Sequence, residues 1–204
     1  IGSRFSMLIM TLAPPLAAIF GYFILGESLN IMQMTGMIIV IFGISLAIFK
    51  KPVRGERLSI KIAPAGLLFA FIGAIGQGLG IVLSKYGMND YNAFASTQIR
   101  IIAGIAGFSI IITLLRRWGN VATALKSSPA MKPLLLGAFF GPFLGISFSL
   151  LAVKHTQAGI ASTIMAIVPV LILAPSAWIY KEKITPVEIA GAIMSVAGVA
   201  FFFI

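Results

Sequence analysis

Residues Thr11–Ser45 read TLAPPLAAIFGYFILGESLNIMQMTGMIIVIFGIS, and residues Ala166–Ala200 read AIVPVLILAPSAWIYKEKITPVEIAGAIMSVAGVA. The second stretch is a diverged copy of the first, displaced by 155 positions. Pro14 falls on Pro169, Glu27 on Glu182, Leu29 on Ile184, Gln33 on Glu188, Gly36 on Gly191 and Gly43 on Gly198. The copies lie in the most apolar parts of the chain. An internal repeat in such a chain implies two halves of one plan packed around a shared path, which is the organisation of a carrier.

Working outward, the whole composition agrees. Of 204 residues, 59% are hydrophobic and only 10% are charged, against about 25% charged in soluble domains. The net charge of +10 does not point to nucleic acid. The cations sit in short connectors between apolar runs, where basic residues anchor helices at lipid headgroups. There is no cysteine, so the chain carries no redox signature. A cleavable signal peptide is not expected at its start, where Ile1 comes first and the sequence is apolar from Phe5 onward, and the chain is read as a fragment or a trimmed chain.

A bilayer core of about 30 Å needs roughly 20 apolar residues of helix. Seven segments satisfy this: 5–25, 31–49, 62–84, 92–115, 133–153, 156–180 and 184–204. Lipid-exposed backbone must satisfy its own hydrogen bonds, so these runs are expected to be helices. The fold class is therefore all-α, a polytopic membrane helix bundle. Thr185-Pro186-Val187-Glu188 is a capping box with proline at the first helical position. Its counterpart, Asn30-Ile31-Met32-Gln33, encodes the same helix start with different residues. Gly137, Gly141, Gly145 and Ser149 on one segment, and Gly76 and Gly80 on another, recur every four residues. Such stripes are expected to be close helix contacts.

Equivalent segments of the repeat are the first and the sixth, an odd offset of five, so they must cross the membrane in opposite senses. This is an inverted repeat. The second copy begins at Ile62 and has five helices, while the first shows only two. The expected parent thus has ten helices in two inverted five-helix repeats, seven of them in this chain, with three more encoded roughly 90 residues' worth upstream. The corresponding division is 1–49 for the end of the first repeat, 50–61 for a basic connector and 62–204 for the second repeat. Most connector cations lie at Arg4, 50–61, 116–132, Lys181 and Lys183. The positive-inside rule places those connectors in the cytoplasm.

The runs Pro14 … Gly26-Glu27-Ser28-Leu29 … Gln33 … Gly36 … Gly43 and Pro169 … Lys181-Glu182-Lys183-Ile184 … Glu188 … Gly191 … Gly198 resemble the EamA-type repeat of the drug/metabolite transporter superfamily. The segment Ala158-Gly159-Ile160-Ala161-Ser162-Thr163 is similar to the start of that family's ninth helix. The resemblance covers the chain from about Ser6. It implies ten helices, a central cavity near the bilayer midplane, and export or exchange of small metabolites, often amino acids, across a bacterial cytoplasmic membrane. It also implies cytoplasmic termini, the opposite of the orientation given by the charge count.

Polar side chains inside the membrane are costly unless they face a cavity or a partner, and so mark candidate sites. Gln77 lies mid-helix, and its amide offers two donors and an acceptor, suited to a zwitterion. Gln98 and Arg100 lie on the next helix, Arg100 about 12 Å of helical rise from Asn92. Arg100 is read either as a binding group or as a snorkelling cation. Ser147, Ser162 and Thr163 are further cavity candidates, against the more frequent use of such hydroxyls in back-bonding to their own helix. Pro14 and Pro169 remove a donor and bend their helices, as a gate or as a fixed kink. Glu27 and Glu182 are read as structural turn residues near helix N-termini.

There is no metal constellation, no phosphate-binding loop and no nucleophile–base set, so neither a cofactor nor an enzyme is expected. The reading is a secondary transporter of a small polar metabolite, an amino acid or a related compound, working by alternating access. The alternatives are a carrier of sugar nucleotides or phosphate esters, or a non-transporting scaffold or lipid scramblase. The expected partners are the metabolite and membrane lipids, with no nucleic acid and with a homodimer left open.

Overall fold

The computed structural model describes residues 3–48, 64–89, 91–126, 128–180 and 185–203. Among these the chain is helices and turns, with no strand. The elements are α1 Ser3–Met10, α2 Ala13–Leu25, α3 Ile31–Ile48, α4 Pro64–Met88, α5 Ala93–Leu114, α6 Trp118–Lys126, α7 Ser128–Ala138, a π-helical segment Phe139–Gly145, α8 Ile146–His155, α9 Ala158–Met165, α10 Val168–Tyr180 and α11 Pro186–Ala200. Five stretches are long and apolar enough to cross a membrane: Ser6–Leu25, Ile31–Ile48, Pro64–Met88, Ala93–Leu114 and Met131–His155. Ala158–Ile172 and Pro186–Ala200 are apolar but shorter. The protein is an all-α, multi-pass membrane bundle. Its outward residues fit that setting, with Phe23 78% and Trp178 85% exposed, since lipid solvates apolar side chains.

Three of the seven expected segments differ in build. The first is broken at Thr11-Leu12, and the sixth at Ala166-Ile167. These pairs are themselves 155 positions apart, so the break is part of the repeat. The cause is the proline two residues beyond each break. It has no N–H to give the carbonyl four residues back, and its ring crowds that carbonyl. The fifth segment begins at Ser128 instead of Pro133 and widens to a π-helix around Pro142. Part of the expected 116–132 connector is helical as well. Helix α5 ends with Arg116 in the left-handed region (φ 52°), Arg116 N–H bonding Thr113 O at 3.0 Å and Arg117 N–H bonding Ile112 O at 3.0 Å. That Schellman-type stop starts the amphipathic α6 immediately.

The chain forms two compact units, Ile1–Tyr86 with Thr156–Ile204, and Gly87–His155. This spatial division does not follow the repeat boundary, because the last helices of the two copies pack on each other. Helices α3 and α11 form the most extensive helix pair of the first unit. Four repeat-equivalent glycines make the contact. A Cβ on Gly36 would meet Gly198 O at 2.8 Å, and one on Gly198 would meet Gly36 O at 3.0 Å. A Cβ on Gly43 would meet Gly191 O at 2.7 Å, and one on Gly191 would meet Gly43 O at 2.6 Å. The pairing is antiparallel, and exchanging the two copies maps it onto itself, the local signature of inverted topology. Val40 and Ile44, both fully buried, sit in the core beside this seam with Met37, Ile160, Ile167 and Phe202.

The helix starts follow the chemistry read from the sequence. Thr185 Oγ1 accepts from Glu188 N–H at 3.3 Å while Thr185 N–H donates to Glu188 Oε2 at 2.6 Å, closing the capping box. In the first copy Asn30 N–H donates to Gln33 Oε1 at 2.9 Å. The four-residue stripes are a correction. A Cβ at Gly76, Gly80, Gly137 or Gly141 would meet nothing within 4 Å. Small size at these positions is not used for helix contact among the described residues.

Candidate functional site

A cavity of about 160 Å³ opens in the first unit, at the two helix breaks. Thr11, Ala13 and Pro14 line it from the first break. Met165, Ala166 and Pro169 line it from the second. Gln77 and Ile81 face it from α4, Ser162 from α9, Met7 and Met10 from α1, and Ile48 from α3. The repeat therefore supplies both sides of one cavity with equivalent residues: Met10 and Met165, Thr11 and Ala166, Pro14 and Pro169. Interrupted helices at corresponding positions of two repeats are where carriers of inverted-repeat design hold their substrates.

The approach of α4 to α2 sets Gln77 in place. A Cβ on the adjacent Gly78 would lie 3.0 Å from Ala13 O and from Ala17 N, a tight contact that a side chain could make only if the backbone of α2 gave way by a few tenths of an ångström. Gln77 itself is exposed, and Ser162 is 4% exposed. Thr11 commits its hydroxyl to Leu8 O at 2.6 Å.

The breaks also leave main-chain carbonyls without their helical donors. In an α-helix the N–H of residue i bonds the carbonyl of residue i−4. Pro14 and Pro15 have no N–H for Met10 O and Thr11 O, and Pro169 has none for Met165 O. Val170 N–H, the helical donor for Ala166 O, instead bonds Ile167 O at 2.8 Å. The carbonyls of Met10, Thr11, Met165 and Ala166, two per copy, thus lack their i+4 partner, and all four residues line the cavity.

Two turns along α4 from Gln77, a polar cluster ties three elements together. Lys85 Nζ lies 2.6 Å from Glu27 Oε1 and donates to Thr156 O at 2.5 Å. Glu27 Oε2 accepts the N–H of Ala158, the first residue of α9, at 2.7 Å. Gln157 Nε2 donates to Ser28 O at 3.1 Å. Glu27 thus neutralises the positive end of α9, a helix remote in sequence, and not the helix that follows its own turn. Its repeat counterpart Glu182 lies outside the described residues.

Other candidates fall elsewhere. Thr163 is fully buried and bonds back to Gly159 O at 2.7 Å, so it does not line the cavity. Ser147, in the second unit, is fully buried and donates to Thr97 Oγ1 at 3.1 Å; Thr97 in turn donates to Ala93 O at 2.9 Å. That chain is an α5–α8 tie. Gln98 and Arg100 are exposed on α5, again in the second unit. Of the six expected cavity residues, Gln77 and Ser162 come together; Gln98, Arg100, Ser147 and Thr163 are not among the lining. Met7, Met10, Met165 and Lys85 are additions. The pattern Met-x-x-x-Pro, present at 10–14 and again at 165–169, carried the signal for two of them.

Residues 64–204 match the model of the EamA-like transporter family. An "Uncharacterized transporter" of Clostridium kluyveri is 25% identical over 182 residues, covering 88% of this chain. The chain spans 56% of that relative's length.

Proposed function

Because the chain belongs to the EamA-like transporter family, within the drug/metabolite transporter superfamily, we propose that it carries a small polar metabolite, an amino acid or a related compound, across a bacterial cytoplasmic membrane by alternating access. The observation that supports this reading is the cavity lined from both repeat copies by interrupted helices, with the Gln77 amide and the Ser162 hydroxyl as its side-chain hydrogen-bonding groups. A cavity of this size suits a small molecule; an engineered cavity of about 150 Å³ holds one benzene. Gln77 and Ser162 orient the substrate, and the methionine and proline surfaces accept its apolar part. The two breaks give each half a point at which a short helix can tilt without disturbing the glycine seam of α3 and α11.

A carrier of phosphate esters or sugar nucleotides is the weaker reading, because an anion in the membrane needs cations and the cavity lining contains none among the described residues. A scaffold or scramblase has no use for a cavity lined equivalently from both repeat copies. Counterflow in proteoliposomes of the full-length protein decides among these. Labelled amino acids should exchange saturably, with sugars and phosphate esters inert. Exchange of phosphate esters alone would overturn the amino-acid reading, and no saturable exchange from folded protein would overturn transport.

A further inference from the structure

We infer that the cavity recognises a cationic group, the ammonium of an amine-bearing substrate, through the main-chain carbonyls of Met10, Thr11, Met165 and Ala166. The inference rests on the transport reading and extends it to the chemistry of the ligand. An ammonium ion is expensive to strip of water unless acceptors replace it. The lining contains no carboxylate among the described residues. Its acceptors are the Gln77 and Ser162 oxygens and the carbonyls at the breaks.

Those carbonyls are suited to the task for two reasons. Proline denies Met10, Thr11 and Met165 their helical donors, and the redirected Val170 N–H denies Ala166 its own. They also sit at the C-terminal ends of α1 and α9, where the helix dipole adds negative potential. Their neighbours at the breaks are satisfied: Leu12 O accepts from Leu16 N–H at 3.1 Å, and Ile167 O accepts from Leu171 N–H at 3.1 Å. Among the residues at the breaks that line the cavity, the carbonyls without their i+4 donor are those of the pairs 10–11 and 165–166, which the repeat relates. The apolar lining from Met7, Ile48 and Ile81 would accept a hydrocarbon side chain.

The test restores the missing donors one at a time. Pro169→Ala returns an N–H to Met165 O, Pro14→Ala returns one to Met10 O, and Pro15→Ala returns one to Thr11 O. None removes a hydrogen-bonding group from the cavity. Full-length protein in micelles is titrated with 3-methylbutylamine, leucine and 4-methylpentanoate, and separately with sodium chloride against choline chloride, reading the saturable rise in melting temperature. Amine and amino acid should bind at least about tenfold more tightly than the carboxylate without an amine. In Pro169→Ala this preference should shrink several-fold, whereas a merely mechanical effect would weaken all probes alike. Should Pro169→Ala fail to fold, Pro15→Ala provides the same comparison.

Equal binding of 4-methylpentanoate and leucine would overturn the inference, as would a preference unchanged in every folded proline variant. Saturable stabilisation by sodium that competes with the amine would assign the carbonyls to a metal ion instead. No shift with any probe would also overturn it, while counterflow with sugars and phosphate esters would still decide the transport reading separately.

Discussion

Two pairs of repeat-equivalent elements lie in the same unit and behave in opposite ways. Helices α3 and α11 meet through Gly36, Gly43, Gly191 and Gly198, with backbone against backbone and no room for one more carbon. The segments α1–α2 and α9–α10 are each broken and leave a cavity. Both arrangements come from one sequence plan used twice. Glycine at the seam gives up side chains to gain dense, unbroken backbone contact. Proline at the cavity gives up backbone hydrogen bonds to gain a break and carbonyls without their helical donors. The difference teaches that a carrier needs a part that stays and a part that yields, and that the repeat encodes both.

Substitutions at the seam should break the comparison most severely. In Gly43→Leu the new Cβ starts 2.6 Å from Ser195 N and 2.7 Å from Gly191 O, backbone atoms that cannot step aside. The expected cost is about 3 kcal/mol or more, read as loss of the monodisperse peak and of the thermal transition. Gly137→Ala, with nothing within 4 Å of its Cβ, should fold normally. Equal damage from both would mean that glycine serves the seam only through helix flexibility.

At the cavity the effects should appear in transport and not in folding. Gln77→Leu should lower counterflow by roughly 10- to 100-fold, the loss of one or two hydrogen bonds to a desolvated substrate, with an unchanged melting temperature. Normal exchange by this variant would remove Gln77 from the site. The Glu27 cluster belongs to neither the seam nor the cavity. Glu27→Ala removes the ion pair with Lys85 and the acceptor for Ala158 N–H. A loss of about 2 kcal/mol is expected from charge-assisted bonds at a partly buried site, seen in chemical denaturation. No loss would show that water replaces the carboxylate without penalty. The smallest effect should be Thr185→Ala, about 1 kcal/mol for the lost cap of α11, with transport retained.

What could be read from the sequence was whatever depends on neighbours along the chain. The capping residues Thr185, Glu188, Asn30 and Gln33 announced two helix starts, because their partners are three residues away. The repeat itself exposed the inversion and the paired prolines. The residues that needed the fold are those whose partners are distant. Glu27 acts on Ala158, 131 positions away, and no local pattern indicates that pairing. Ser147 and Thr97, 50 positions apart, are buried against each other, so the serine's hydroxyl is committed before any substrate arrives. Spacing misled with the glycines at 76, 80, 137 and 141, since a four-residue stripe defines a face but not what covers it. The glycines that form the seam recur every seven residues, Gly36 to Gly43 and Gly191 to Gly198, and were visible only as aligned positions of the repeat.

The seam also sets a clock for biosynthesis. Gly43 waits for Gly191, which the ribosome adds about 150 residues later, roughly 8 to 30 s at ordinary elongation speeds. Throughout that interval α3 rests in the membrane with its glycine face against lipid or a temporary partner. Every newly made copy therefore passes through the unpaired condition in which a Gly43 variant would remain, and membrane quality control has that long to tell a chain still being finished from one that will never close.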